Sequence, residues 1–292
     1  FIALSLELVW FRLLDVAVKS TAFTFGTVLS VYLLGSALGA LLGAARVERL
    51  RRPLRAFLLL QCSILVIAAL PVIIAVLLPP DLRRFDWFVG YWAGYNFFPL
   101  GHAWDRASVV RLYVQLPLLL FFLPTLLMGL SFPVLQRAVH DDPRTSGRKV
   151  GALQAANIAG CTAGSLVVGL LCLDLLGSTG TLRLLLGLGL VFAGVGLRYY
   201  GRSFVGPALL LIVVSALVPG PERLWRRLHG IDQTSPAFFD EDATSVVALT
   251  PDQGRWRLSV NGKGNSFLPY GGGHTVLGAV PAIVHKAPRR AR

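Results

Sequence analysis

Residues 56–78 read AFLLLQCSILVIAALPVIIAVLL and contain no charged side chain. A bilayer core about 30 Å thick is crossed by about 20 mainly apolar helical residues, so this stretch reads as a transmembrane helix. Similar runs lie at 21–45, 109–131 and 150–176, with shorter ones at 182–197 and 204–218 and an apolar opening at 1–14. Together they predict an α-helical membrane bundle of six to eight spans. Composition agrees: 54% of the 292 residues are hydrophobic and 15% charged, against about 45–50% and 25% in soluble domains. An ordinary soluble enzyme, a disordered chain and a disulfide-stapled mini-protein are thereby excluded.

The net charge of +13 is carried mainly by arginine. In a membrane protein such residues mark cytoplasmic loops and anionic headgroups rather than nucleic acid. Arg46, Arg49, Arg51, Arg52 and Arg55 follow the second run, and Arg137, Arg144, Arg148 and Lys149 follow the fourth. Both loops are therefore assigned to the cytoplasm, and the aromatic-rich loop 79–107 to the outer interface. Counting on through seven spans puts everything after Pro219 outside, whereas Arg223, Arg226 and Arg227 argue for the inside. The partners expected are the lipid bilayer and no nucleic acid, in a bacterial cytoplasmic membrane. Both chain ends read as cut, since Phe1 already lies in an apolar run.

Gly35, Gly39 and Gly43, and later Ala156, Gly160 and Gly164, repeat small residues every fourth position. Such spacing lets helix backbones approach closely. It is read as packing within one bundle, with self-association into a homo-oligomer as the alternative. Glu7, Arg12, Asn157 and Asp174 are the polar residues of the spans that invite a functional reading. Glu7 and Arg12 lie five positions apart, about 140° around a helix, and need not pair.

Residues 1–219 form the membrane region; from 220 to 292 the composition turns polar. Strands are predicted at 244–250 and 255–260, joined by a turn at 251–254, with a second turn at Asn261-Gly262. A helix from His274 to His285, interrupted at Pro281, follows. The Asp240-Glu241-Asp242 cluster reads as a solvated turn or strand cap, with attraction of a polycation as the alternative. Gly271-Gly272-Gly273 suggests an anion loop but lacks the G-x-G-x-x-G pattern. Cys62, Cys161 and Cys172 and the five histidines have no metal-ligand spacing, so no metal is expected.

Three stretches taken in order resemble the membrane-fused spermidine synthase-like proteins. The segment 5–14 carries Glu7, Trp10 and Arg12 in the family's E-x-x-W-x-R pattern, and 151–160, GALQAANIAG, is similar to its G-x-x-x-A-x-N-x-x-G helix. In the polar tail, 241–247, then 258–265, then His274 with Leu277, Pro281 and His285, resemble the synthase N-terminal β-region.

The resemblance implies a soluble α/β domain whose start is visible here. It also implies transfer of an aminopropyl group from decarboxylated S-adenosylmethionine, as co-substrate, to a polyamine. His274, Asn265 and Ser245 then occupy substrate-binding positions. Only His274 retains the family residue: Ser245 replaces a Gln, Asn261 and Asn265 replace the Asp and Gln of a D-G-x-x-Q turn, and Thr275 replaces a Glu. The family's cofactor loop and catalytic Asp fall beyond Arg292, so no catalytic residue is assigned and the fragment alone is expected to be inactive. The alternatives are a membrane transporter for polyamines or another small solute, and a catalytically dead membrane scaffold.

Overall fold

The computed structural model describes residues 1–77, 109–139 and 146–284. The aromatic loop 79–107, Arg144, His102, His140 and His285 lie outside them. The chain is mostly helical and carries one small sheet. Helix α1 spans Ile2–Ala17, α2 Phe23–Arg46 and α3 Pro53–Leu77. Helix α4, Leu123–Val139, is preceded by π-helical turns at Arg111–Gln115 and Leu118–Phe122. Each π turn lies just ahead of a proline, Pro117 and Pro124, whose missing N–H leaves an upstream carbonyl without its usual partner.

Helix α5 is Ser146–Val167, α6 Leu173–Tyr200 and α7 Val205–Leu217. Four stretches are long and apolar enough to cross a membrane: Phe23–Arg49, Pro53–Leu77, Arg111–Val139 and the 71-residue Gly147–Leu217. The longest is broken at Gly177, with φ 65° and ψ −177° inside α6, and turns at Gly201, with φ 62°. Beyond that turn α7 folds back on α6, and Gly189 meets Leu211. The reversal between the runs at 182–197 and 204–218 lies at Gly201, with Tyr199 and Tyr200 still helical.

Small residues set the tightest packing. Helices α2 and α4 run side by side in the same direction: Gly35 faces Thr125, Gly39 faces Leu126 and Leu130, and Gly43 faces Leu130 and Pro133. Gly129 answers from α4 by lying against the Ser36 backbone. On α5, Gly160 and Gly164 lie against the backbone of Phe1. These contacts are made within one chain.

Helix directions sort the charges into two ends. Arg46 and the loop to Pro53, Arg137, the start of α5 with Arg148 and Lys149, and the α6–α7 turn with Arg198 and Arg202 share one end. The C-terminal ends of α1 and α3 and the break at Gly177 share the other. At that second end Arg227 Nε donates to the Ala75 carbonyl at 3.0 Å, and Arg183 to that of Val218 at 2.6 Å. Helix α8, Pro221–Leu228, and the sheet sit there.

The sheet is an antiparallel meander in the order β1 (Phe238–Glu241), β2 (Val246–Asp252), β3 (Arg255–Val260) and β4 (Lys263–Leu268). Two-residue turns at Gln253-Gly254 and Asn261-Gly262, all four with positive φ, close the β2–β3 and β3–β4 hairpins. The strand expected from 244 begins at Val246 and runs on through Pro251 to Asp252. Helix α9, Gly273–Val284, continues through Pro281 instead of breaking there.

A side chain at Gly39 would overlap the α4 backbone, whereas Gly26 has open space around its Cβ position. Gly39→Val is therefore expected to cost about 1–3 kcal/mol through overpacking and to lower the melting temperature in detergent, with Gly26→Ala close to the parent. Equal melting of Gly39→Val and the parent would mean that α2 and α4 do not touch as described.

Candidate functional site

The most connected polar centre is built around Glu241, the last residue of β1. Its carboxylate enters the bundle at the Gly177 break. There the Ser178 N–H and hydroxyl donate to Oε1 at 2.8 and 2.5 Å, Trp225 Nε1–H donates to Oε2 at 3.1 Å, and Arg12 donates to Oε1 at 3.2 Å. The Arg12 and Glu241 side chains are 7% and 8% exposed, so both charges are withdrawn from water and satisfied by each other and by hydrogen bonds.

Local sequence explains each part. Gly177 supplies a left-handed φ that interrupts the helix. The N–H of Ser178 then lacks a helical acceptor, and an anion there meets the positive end of the following helical segment. A Cβ at position 177 would crowd Glu241 Oε2 at 2.7 Å. From α1, Arg12 also donates to the carbonyls of Asp242 and, at 2.5 Å, Ala243, closing over the β1–β2 connection. Trp10, two residues earlier, is buried and stacks on Phe121 with ring centroids 5.5 Å apart.

A second junction lies beneath the β3–β4 hairpin. Gly262 packs against the Val16 carbonyl, and Asp15 hydrogen-bonds with Ser20, Thr24 and Asn261. The Asn261 side-chain oxygen accepts from the Val246 N–H at 2.8 Å. Lys19, 1% exposed, is depressed to about 8 by burial and then by Arg257. His229 sits near both cations, with Nδ1 2.8 Å from the Trp225 carbonyl and its ring against Phe239. Burial, with Lys19 and Arg257, holds its pKa near 4 instead of 6.5.

The acidic cluster divides by role. Glu241 is the buried anchor. Asp242 accepts from the Thr244 hydroxyl and from the amides of Thr244 and Ser245, which hold its carboxyl down to about 2. Asp240, exposed, borders a cleft of about 510 Å³ with Asp174, Glu222 and Trp225. A cation fits the chemistry of this rim, although Glu222 already pairs with Arg226 at 2.9 Å.

The three substrate-binding candidates are spread over the sheet and α9. Ser245 stands just before β2, half-buried and bonded to Asp242. Asn265 is exposed in β4, and His274 is exposed at the start of α9. Among the described residues no hydrogen bond joins any two of them, and none lines the acidic cleft. The glycine loop before α9 is folded on itself: the Gly271 N–H donates to Thr275 Oγ1 at 2.7 Å and the Gly271 carbonyl accepts from the His274 N–H. The Gly271 amide is thereby occupied. No group of three metal-ligating side chains is found among the described residues.

What the sequence reading missed is the pairing of Arg12 with Glu241. Both were noted, Arg12 as a polar residue of a span and Glu241 as one of three acids, but 229 positions separate them. No family model, no curated protein and no solved structure matches the chain.

Two outcomes test these junctions. Glu241→Ala leaves Arg12 buried without its carboxylate and is expected to destabilise the protein by about 3–5 kcal/mol, freeing the sheet for limited proteolysis while Asp240→Ala does not. For His229, the folded-state pKa is depressed, so between pH 6.5 and about 4 the unfolded chain takes up a proton that the folded one refuses. Stability therefore falls as pH drops through that window. His229→Gln is expected to flatten the corresponding slope of melting temperature against pH.

Proposed function

We propose that this chain is the membrane region and substrate-side β-region of a spermidine synthase-like protein. The observation that carries the reading is the four-stranded antiparallel meander with tight hairpins, followed at once by the helix that begins Gly273-His274. Strand order, turn positions and the placement of Ser245, Asn265 and His274 follow the order of the resembling motifs. Helix α9 leaves Val276, Leu277, Val280 and Ile283 uncovered, as the first helix of a larger domain does.

In this reading α1 to α7 form a bundle of six to eight spans in a bacterial cytoplasmic membrane. Arg12 and Glu241 hold the β-region rigidly against it. The activity proposed for the whole protein is nucleophilic attack by a polyamine nitrogen on the aminopropyl carbon of decarboxylated S-adenosylmethionine, the adenosyl thioether leaving. Orientation of the amine and removal of its proton supply the catalysis. From this chain, His274 would contact the polyamine, and Ser245 and Asn265, in place of the family's residues, would alter the acceptor preference.

One feature favours a second reading. The sheet lies at the end of the bundle opposite the arginine-rich loops, and the positive-inside rule puts those loops in the cytoplasm. The β-region then faces away from the compartment that makes a nucleoside-derived co-substrate, which suits a transporter or a catalytically dead scaffold. Calorimetry on the full-length protein separates the two. Binding of both a polyamine and an adenosyl sulfonium, with the polyamine weakened about tenfold by His274→Ala (1.4 kcal/mol), supports the synthase-like reading. Binding of neither overturns it in favour of the second.

A further inference from the structure

At the arginine-rich end of the bundle, away from the sheet, two surface pockets meet at Leu59. The first, of about 490 Å³, opens where the α2–α3 loop enters α3 and is lined by Arg51, Arg52 and Arg55 with Leu50, Ala56 and Leu59. The second, of about 430 Å³, is a groove between α3 and α7, with Leu59, Val66 and Ile67 on one side and Pro207 and Leu210 on the other. One pocket is cationic and the other apolar, and Leu59 belongs to both.

The arginines are not offset by acids beside them. The stretch 46–55 carries five arginines against one acid, Glu48, which is exposed and does not line the pocket. Among the described residues Arg51, Arg52 and Arg55 make no side-chain hydrogen bond or ion pair. Arg51 and Arg52 are exposed, whereas Arg55 is half-buried and its Nε is shut off from solvent without an acceptor. A buried donor left unpaired is costly. The guanidinium fork matches the oxygens of a phosphate group, which would supply both the acceptor and the counter-charge.

The groove has the course of a lipid tail. From Leu59 to Ile67 it descends eight residues, about 12 Å at the rise of an α-helix. That fits within one leaflet, about 15 Å or half of the hydrocarbon core. Leu59 lies one helical turn inward of Arg55, so a chain attached to an anion at the arginines would start at the groove's mouth. Helices α3 and α7 both run inward from this end and form its two walls. Behind them Cys62 is buried, its thiol directed at the Gly189 carbonyl of α6 at 3.9 Å, so the inner side is closed and the outer side open. Gly206 and Ser63 are the smallest lining residues, and a Cβ on Gly206 would meet open space.

We propose that the two pockets form one site for an anionic phospholipid of the cytoplasmic leaflet, its phosphate at Arg51, Arg52 and Arg55 and one acyl chain between α3 and α7. A free inorganic anion would leave the apolar groove unused. A lipid without net charge would leave the arginines uncompensated, whereas the anionic lipids of that leaflet are drawn to basic segments beside a span. The site rests on the chain's being embedded in a membrane and not on the synthase-like reading, and its test uses neither a polyamine nor an adenosyl compound.

The full-length protein is placed in phosphatidylcholine nanodiscs that contain a small fraction of either phosphatidylglycerol or phosphatidylcholine bearing a diazirine in mid-chain. After photolysis the cross-linked peptides are identified by mass spectrometry. The expected result is that the phosphatidylglycerol analogue labels residues 59–67 and 206–210 several-fold more than the phosphatidylcholine analogue does. Unlabelled phosphatidylglycerol competes, and the same molar amount of inorganic phosphate does not. Arg51→Gln with Arg55→Gln lowers labelling to the phosphatidylcholine level. Arg46→Gln with Arg49→Gln, an equal change of charge in the same stretch but outside the pocket, leaves most of it. Gly206→Leu fills the groove and removes labelling there, with a melting temperature close to the parent's; the two arginine pairs test the site independently of that variant. Equal labelling by the two lipids, displacement by inorganic phosphate, equal effects of the two arginine pairs, or groove labelling that survives Gly206→Leu would each overturn the proposal.

Discussion

A carboxylate buried at a broken helix holds the two parts of this molecule together. Glu241 leaves the sheet, enters the bundle and meets Arg12, Ser178 and Trp225, one contact from each of α1, α6 and α8. Desolvating two charges is costly, and an incomplete set of partners would make the arrangement unfavourable. It persists because every neighbour supplies a hydrogen bond: the guanidinium also caps the carbonyls of Asp242 and Ala243, and the Gly177 break exposes an amide at a helix start. Removing Arg12 or Glu241 leaves the other as an uncompensated buried charge, and removing Ser178 or Trp225 takes a hydrogen bond from the carboxylate.

The helical region follows a different rule. Between helices in a membrane there is no hydrophobic gain to drive association, and close backbone approach supplies the attraction. The stripe Gly35, Gly39 and Gly43 against Thr125, Leu126 and Leu130 is the tightest instance. Helices held this closely by small residues leave room elsewhere for larger ones.

Much of the helical region was legible in the sequence, because a run such as 56–78 has one low-energy fate in a bilayer. The hairpins were legible for an equally local reason: Gln253-Gly254 and Asn261-Gly262 tolerate the positive φ that a two-residue turn demands. The candidate site was far less so. Ser245, Asn265 and His274 were singled out by order along the chain, and the structure puts them on separate elements without a shared bond. Asp240, Glu241 and Asp242 look equivalent as letters, yet the alternation of a strand sends Glu241 inward, and the turn that follows commits Asp242 to the amides of Thr244 and Ser245. A helix start at Gly273 could be foreseen, whereas the folding of the Gly271 amide onto Thr275 could not.

By itself the sequence determined the class of molecule, the approximate span positions, the tight turns and the change from apolar to polar near residue 220. Each depends on composition or on neighbours within a few positions. Tertiary structure alone decided that Arg12 finds Glu241 and that His229 is buried beside Lys19 and Arg257. It also decided that the sheet sits at the end of the bundle away from the basic loops. These outcomes depend on which helix faces which, and that is settled by the fit of small residues and the mutual satisfaction of buried charges, interactions between positions far apart in the chain.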